Sequence, residues 1–137
     1  MAKFWTLKEL QENYGNDRDI IRLGFITNDQ LNKVWNLATV YCQPSLYEGF
    51  GLGPLEAMQA GVPVVAAHTQ AMVEILSNAC VYFEPKNVED LVEKITFFLN
   101  SKSKREEFVK KGKEQAKKYS WEKMAQEVGS IYRTALQ

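Results

Sequence analysis

Pro44-Ser45-Leu46-Tyr47-Glu48-Gly49-Phe50-Gly51-Leu52-Gly53-Pro54-Leu55-Glu56-Ala57-Met58 sets a glycine-rich turn between two glutamates eight positions apart, just before a short helix. Pro54 suits a first helical turn, where a missing N–H costs nothing, and Gly61 with Pro63 stops the helix. The predicted helix is 54–60, with Glu56 close to its start. The glycines let backbone N–H groups approach a ligand closely, and a helix N-terminus attracts anions. The segment is therefore suited to hold a phosphate, with one carboxylate on each side to accept hydroxyl hydrogen bonds. Phosphate together with hydroxyls suggests a nucleotide sugar.

Outward from this stretch the chain alternates short apolar runs with helical patterns. Residues 20–26 read as a strand, and Thr27-Asn28-Asp29-Gln30 as a capping box for a helix with Leu31, Val34, Trp35 and Ala38 on one face. Residues 40–43, 62–66 and 79–83 read as further strands, with a short helix at 71–76 between the last two. Such an alternation argues for a parallel α/β sheet, whose right-handed crossovers gather the strand ends, and any ligand, on one edge. The last third is helical. Asn87 caps a helix carrying Leu91, Ile95 and Phe98, and Ser103-Lys104-Arg105-Glu106 reads as a second capping box opening a charged helix to about residue 118. Ser120 starts a third, whose stripe of Trp121, Met124, Ala125, Val128, Ile131, Tyr132 and Ala135 is amphipathic.

Composition bounds the class. The 137 residues suffice for one domain with a sizeable core, and 45% hydrophobic with 25% charged residues is ordinary for a globular chain. Seventeen basic and seventeen acidic residues cancel, so no nucleic-acid partner is expected. Cys42 and Cys80 sit in apolar runs and read as buried reduced thiols, which suits a cytoplasmic location. No signal peptide is recognisable, and no apolar run approaches the roughly 20 residues of a membrane span.

The pattern P-S-x-x-E-G-F-G-L-x-x-L-E-A-M-x-x-G-x-P-V-V resembles the donor-site signature of retaining GT-B glycosyltransferases, especially family 4, where two glutamates form an E-x7-E motif. Similarity extends outward to Ile20-Ile21-Arg22-Leu23-Gly24-Phe25, Val81-Tyr82-Phe83-Glu84-Pro85 and Tyr119-Ser120-Trp121-Glu122, and so covers nearly the whole chain. The resemblance implies a Rossmann-like three-layer α/β/α parallel sheet with C-terminal helices, 1–137 forming one partial donor-binding domain. It implies that Glu48 contacts hydroxyls of the transferred sugar near the reaction centre. Glu56 would accept from the ribose; the bland alternative is a glutamate that merely complements the helix dipole. Gly49, Phe50, Gly51 and Leu52 would present backbone N–H groups to sugar and phosphate, with the side chains of Phe50 and Leu52 used for packing. The donor is then a nucleotide diphospho-sugar; the base would be read near residues 24–27, and no cofactor or metal is expected.

The resemblance covers only the second of the two GT-B domains, and not all of it. It begins near residues 4–13, similar to the helix before the third strand of that domain. The first two strands, the basic residues that neutralise the donor diphosphate, and the acceptor-binding domain have no counterpart. In the usual strand order 3-2-1-4-5-6, either the third strand closes onto the fourth or a second copy fills the gap. A homodimer through the exposed strand edge or the 120–136 helix is expected, and the 137 residues alone are expected to be inactive. The competing reading is a non-catalytic nucleotide-binding or scaffold fragment; an epimerase of the same architecture matches the motif less well.

Other conspicuous residues read more plainly. His68, the single histidine, is a loop residue following a strand, and Thr69-Gln70-Ala71 replaces the glycine pair common in relatives. Asp17-Arg18-Asp19 has the look of a metal-binding D-x-D, but it precedes a strand instead of ending one and reads as a solvated turn. The lysines from 102 to 118 alternate with glutamates as on a solvated face; the alternative is weak contact with an acidic membrane surface.

Overall fold

A computed structural model of the chain describes residues 18–136, in two compact units, 1–31 and 32–137. The stretch matched to a helix at 4–13 and Asp17 lie outside the described residues. In the first unit a turn at 18–19 leads into an irregular segment and then the opening of helix α1 (Asn28–Leu37). Thr27 and Gln30 form the expected capping box: the Thr27 amide donates to Gln30 Oε1 at 2.8 Å, and the Gln30 amide to Thr27 Oγ1 at 3.4 Å.

Residues 20–26 do not form the expected strand. Among the described residues they have no ladder partner, and Ile21 and Phe25 are 80% and 98% exposed. A strand exists only through hydrogen bonds to a neighbour, so an apolar run without one stays irregular.

In the second unit, β1 (Tyr41–Gln43), β2 (Val64–Ala67) and β3 (Val81–Phe83) form a parallel sheet in that order, Tyr41 opposite Val64 and Val65 opposite Val81. Among the described residues β1 pairs on one side only.

The central strand explains the layering. Val64 and Ala66 face a cluster with Met58, Met72 and Leu76, whereas Val65 and Ala67 face Phe83 and Phe98 on the opposite side. Alternate residues of a strand point to opposite faces, so an unbroken V-V-A-A run requires helices on both. The first face is covered by α2 (Leu52–Ala60) and α3 (Gln70–Leu76), the second by α4 (Val88–Leu99). The fold is thus a parallel α/β sheet with helices on either side, as the sequence implies.

Helix α5 (Lys102–Ala116) ties both layers together. Gly112 lies so close to α2 that a Cβ would stand 2.9 Å from Met58 Cγ, and Phe108 meets the Phe98 ring edge-on at 5.3 Å. Buried Gln115 donates to the Ile75 carbonyl at 2.6 Å, which Tyr119 also reaches at 3.3 Å. The cap of α5 is Ser101, accepting from the Lys104 amide, and not Ser103. Arg105 donates to the Phe98 and Leu99 carbonyls at the end of α4, and this sharp connection sets the earlier start.

Helix α6 (Trp121–Ala135), capped by Ser120 as expected, has no buried residue. Its apolar stripe stays open, Trp121 at 70% and Tyr132 at 67% exposure. Cys80 is buried, and burial pushes its thiol up to about 12; Cys42 is only half-buried, and burial raises its thiol too. No described helix is long and apolar enough to cross a membrane.

Candidate functional site

The glycine turn joins the end of β1 to α2, on the sheet edge where parallel strands terminate. Its backbone is fixed by Gly51, which caps α2 in the left-handed region at φ 95° and ψ 52°. An L side chain would be strained there, and a Cβ would lie 2.6 Å from Met72 Cε. The helix begins at Leu52, two residues before Pro54, so Glu56 occupies its fifth position. No acidic residue stands in the first turn. A dipole-complementing role for Glu56 therefore loses its ground, since that effect fades beyond the first turn. Glu56 is exposed at the surface, free to meet a ligand.

Glu48 is half-buried in the loop, and the structure gives it a partner that the motif does not announce. Gln43, the last residue of β1, donates through Nε2 to Glu48 Oε1 at 2.6 Å and to Ser45 Oγ at 2.8 Å. The Gln43 side-chain oxygen Oε1 in turn accepts from the Tyr41 hydroxyl. Tyr41 and Gln43 are two apart on one strand and so share a face, the face that also carries α2. Gly53 makes the arrangement fit: a Cβ there would stand 2.6 Å from Tyr41 Oη. This glycine is required by close approach, not by a special φ. Burial, and then the charges of Glu48, Cys42 and Glu56, lift the Tyr41 phenol above its usual range. Two polar residues in a three-residue strand were the signal available in the sequence; their link to Glu48 was not.

Comparison with known proteins gives the family. The profile of the family described as "Glycosyl transferases group 1" matches residues 2–115. The chain belongs to that family. Among curated relatives it is similar to an uncharacterized glycosyltransferase of Methanocaldococcus jannaschii, 33% identical over 96% of this chain and 34% of that protein. The O-antigen chain mannosyltransferase B of Escherichia coli is 34% identical over 93% of the chain and 34% of its own length. Among solved structures, sucrose-phosphate synthase from Thermosynechococcus elongatus superposes with a TM-score of 0.82 at 26% identity, covering 95% of this chain and 33% of that one. The chain thus spans about a third of the length of the curated relatives it matches.

In this group 1 glycosyl transferase chain the side chains of Phe50 and Leu52 are partly covered and partly open. They are 42% and 48% exposed, and Phe50 meets Tyr119 edge-on at 5.6 Å. With Glu56, Lys118 and Trp121 they line an open groove of about 660 Å³ between α2 and the start of α6. Gly49 is exposed at the turn. His68 stands exposed past β2, its ring edge-on to Tyr82 at 5.4 Å. The charged helix α5 pairs its lysines internally, Glu107 with Lys104 at 2.9 Å and Lys111 at 2.7 Å, and Glu114 with Lys117 at 2.7 Å. These pairs draw Glu107 down to about 2, and they suit the solvated-face reading.

Proposed function

We propose that these 137 residues are the donor-binding part of a retaining glycosyltransferase. That enzyme moves a hexose from a nucleotide diphospho-sugar to an acceptor hydroxyl. The observation that carries the reading is the Gly51-capped turn at the end of β1, with Glu48 in the loop before it and Glu56 exposed on α2 after it. In this reading the N–H groups of the turn and of the α2 N-terminus hold the diphosphate, before and after it leaves. Glu56, one turn further along α2, accepts from the ribose hydroxyls. Glu48, whose Oε2 has no partner among the described residues, accepts from hydroxyls of the sugar at the reaction centre. The names of the Escherichia coli relatives favour a hexose such as mannose. The reading invokes no cofactor or metal.

A panel of UDP, GDP and ADP with their hexose conjugates, screened by thermal shift, tests this. A ligand at 100 times its Kd adds about 2.7 kcal/mol, a clear shift for a domain of this size. Stabilisation by one nucleotide series is the expected result; no shift from any member at millimolar concentration favours the scaffold reading instead. Turnover is expected to be absent from the 137 residues alone, because positioning of the acceptor and full neutralisation of the diphosphate both need further groups. Sugar transfer or donor hydrolysis above a Glu48→Gln control refutes that expectation.

We further propose that the isolated chain pairs with itself. The edge of β1, unpaired among the described residues, and the open stripe of α6 are the surfaces that support this. Light scattering is expected to give twice the monomer mass of 15.7 kDa, and a monomer mass at high concentration rules the dimer out.

A further inference from the structure

The geometry points to Gln43 as a positioning residue that aims the Glu48 carboxylate at the donor sugar, an inference that rests on the function just proposed. Three observations converge on it. First, the Gln43 amide is held at both ends. Its oxygen accepts from the Tyr41 hydroxyl, and its nitrogen donates to Glu48 Oε1 at 2.6 Å and Ser45 Oγ at 2.8 Å. An ionised carboxylate only accepts, so the NH2 end must face Glu48, and the phenol then supplies the hydrogen that the amide oxygen needs. The polarity of the chain from Tyr41 to Glu48 is fixed.

Second, this chain runs from the rigid part of the molecule to the irregular part. Tyr41 is paired in register with Val64 and packs on the first core cluster, whereas Glu48 lies in a loop with no helix or strand of its own. A functional side chain on a loop needs support from a neighbouring element to hold its geometry. Third, Gly53 leaves room for the Tyr41 hydroxyl beneath the α2 start, with Gln43 Oε1 only 3.7 Å from where a Cβ would stand. The turn that would hold the diphosphate is therefore packed directly on the residues that hold Glu48. Gln43 occupies Oε1 and leaves Oε2 to the ligand, which makes Glu48 a directed acceptor instead of a mobile one.

The test measures, by calorimetry on the 137-residue chain, the Kd of the nucleoside diphosphate and of its hexose conjugate identified from the panel above. Their ratio is the affinity added by the sugar. Gln43→Leu removes the donor at similar size, and it is expected to leave the nucleoside diphosphate Kd within about twofold while lowering the sugar ratio about tenfold. Gln43→Glu sets two acceptors face to face, and the ratio should fall at least as far. Combining Gln43→Leu with Glu48→Ala should lower it no further than Glu48→Ala alone, because the two residues act as one unit. Should Gln43→Leu fail to fold, Tyr41→Phe carries the test with an expected loss of about threefold. An unchanged ratio in Gln43→Leu beside a lowered one in Glu48→Ala overturns the positioning role and leaves the donor site standing. Additive losses in the double variant also overturn it. Absence of any sugar-dependent affinity in the unsubstituted chain overturns the donor reading and this inference together.

Discussion

Glu56→Ala is expected to weaken nucleoside diphosphate and nucleotide sugar alike, by about 1.5–3 kcal/mol for a lost charged acceptor. Glu48→Ala is expected to leave the nucleoside diphosphate Kd nearly unchanged and to lower only the affinity added by the sugar. The difference follows from position. Glu56 projects from the second turn of α2, one turn beyond the N–H groups proposed to hold the diphosphate, where a ribose would lie. Glu48 stands on the other side of that turn, held by Gln43 through Oε1, its Oε2 without a partner among the described residues. Calorimetry on both variants with both ligands separates the two roles. In a complete enzyme of this family, Glu48→Ala should reduce kcat more than donor binding, as expected of a group that acts mainly in the transition state. Equal losses for the two ligands in both variants, or no loss in either, would falsify the assignment.

Phe98→Ala should cost about 3–5 kcal/mol of folding stability. Phe98 is fully buried, packs beneath Val65 and Ala67 of the central strand, and meets Phe97 at 5.2 Å and Phe108 at 5.3 Å in edge-on contacts. Removing its ring opens a cavity where β2, α4 and α5 meet, and the rigid sheet cannot collapse into it. Phe97→Ala is the control, since Phe97 is 38% exposed and its loss should cost much less. Urea unfolding of the two variants gives the comparison, and near-equal midpoints would show that this second face of the sheet contributes little. The effect on ligand binding should be small at temperatures where the variant stays folded, because Phe98 packs on the face of the sheet opposite α2.

What could be read from the sequence was mostly short-range. The Thr27–Gln30 capping box, the Asn87 and Ser120 caps, the Gly61 stop and the buried run within residues 62–66 each depend on residues within one turn or one strand. A backbone N–H finds a cap three residues away in nearly any context, so such signals survive without knowledge of the fold. The glycine turn between Glu48 and Glu56 belongs to the same class, and with it the family. The capping box read at Ser103 was misplaced by two residues: Ser101 caps α5, which begins at Lys102, with Arg105 reaching back to the end of α4. Pro54 likewise suggested a helix start that Gly51 moves forward, and that shift changed the meaning of Glu56.

Tertiary structure alone decided the rest, because each remaining feature depends on a partner distant in sequence. Residues 20–26 have the composition of a strand, yet composition cannot supply the neighbouring ladder. Gln115 and Tyr119 meet at one carbonyl, that of Ile75, 40 and 44 residues away. The stripe on α6 has the same periodicity as a buried helix, and only the arrangement of neighbours leaves it open. The support of Glu48 by Gln43 lies between these cases. The two residues are five apart, but a loop can direct its side chains anywhere, so only the folded path of residues 44–52 brings the amide to the carboxylate. The sequence by itself determined the helices, the three paired strands and the family; the packing of β1 against Gly53 and α2 decided how Gln43 meets Glu48.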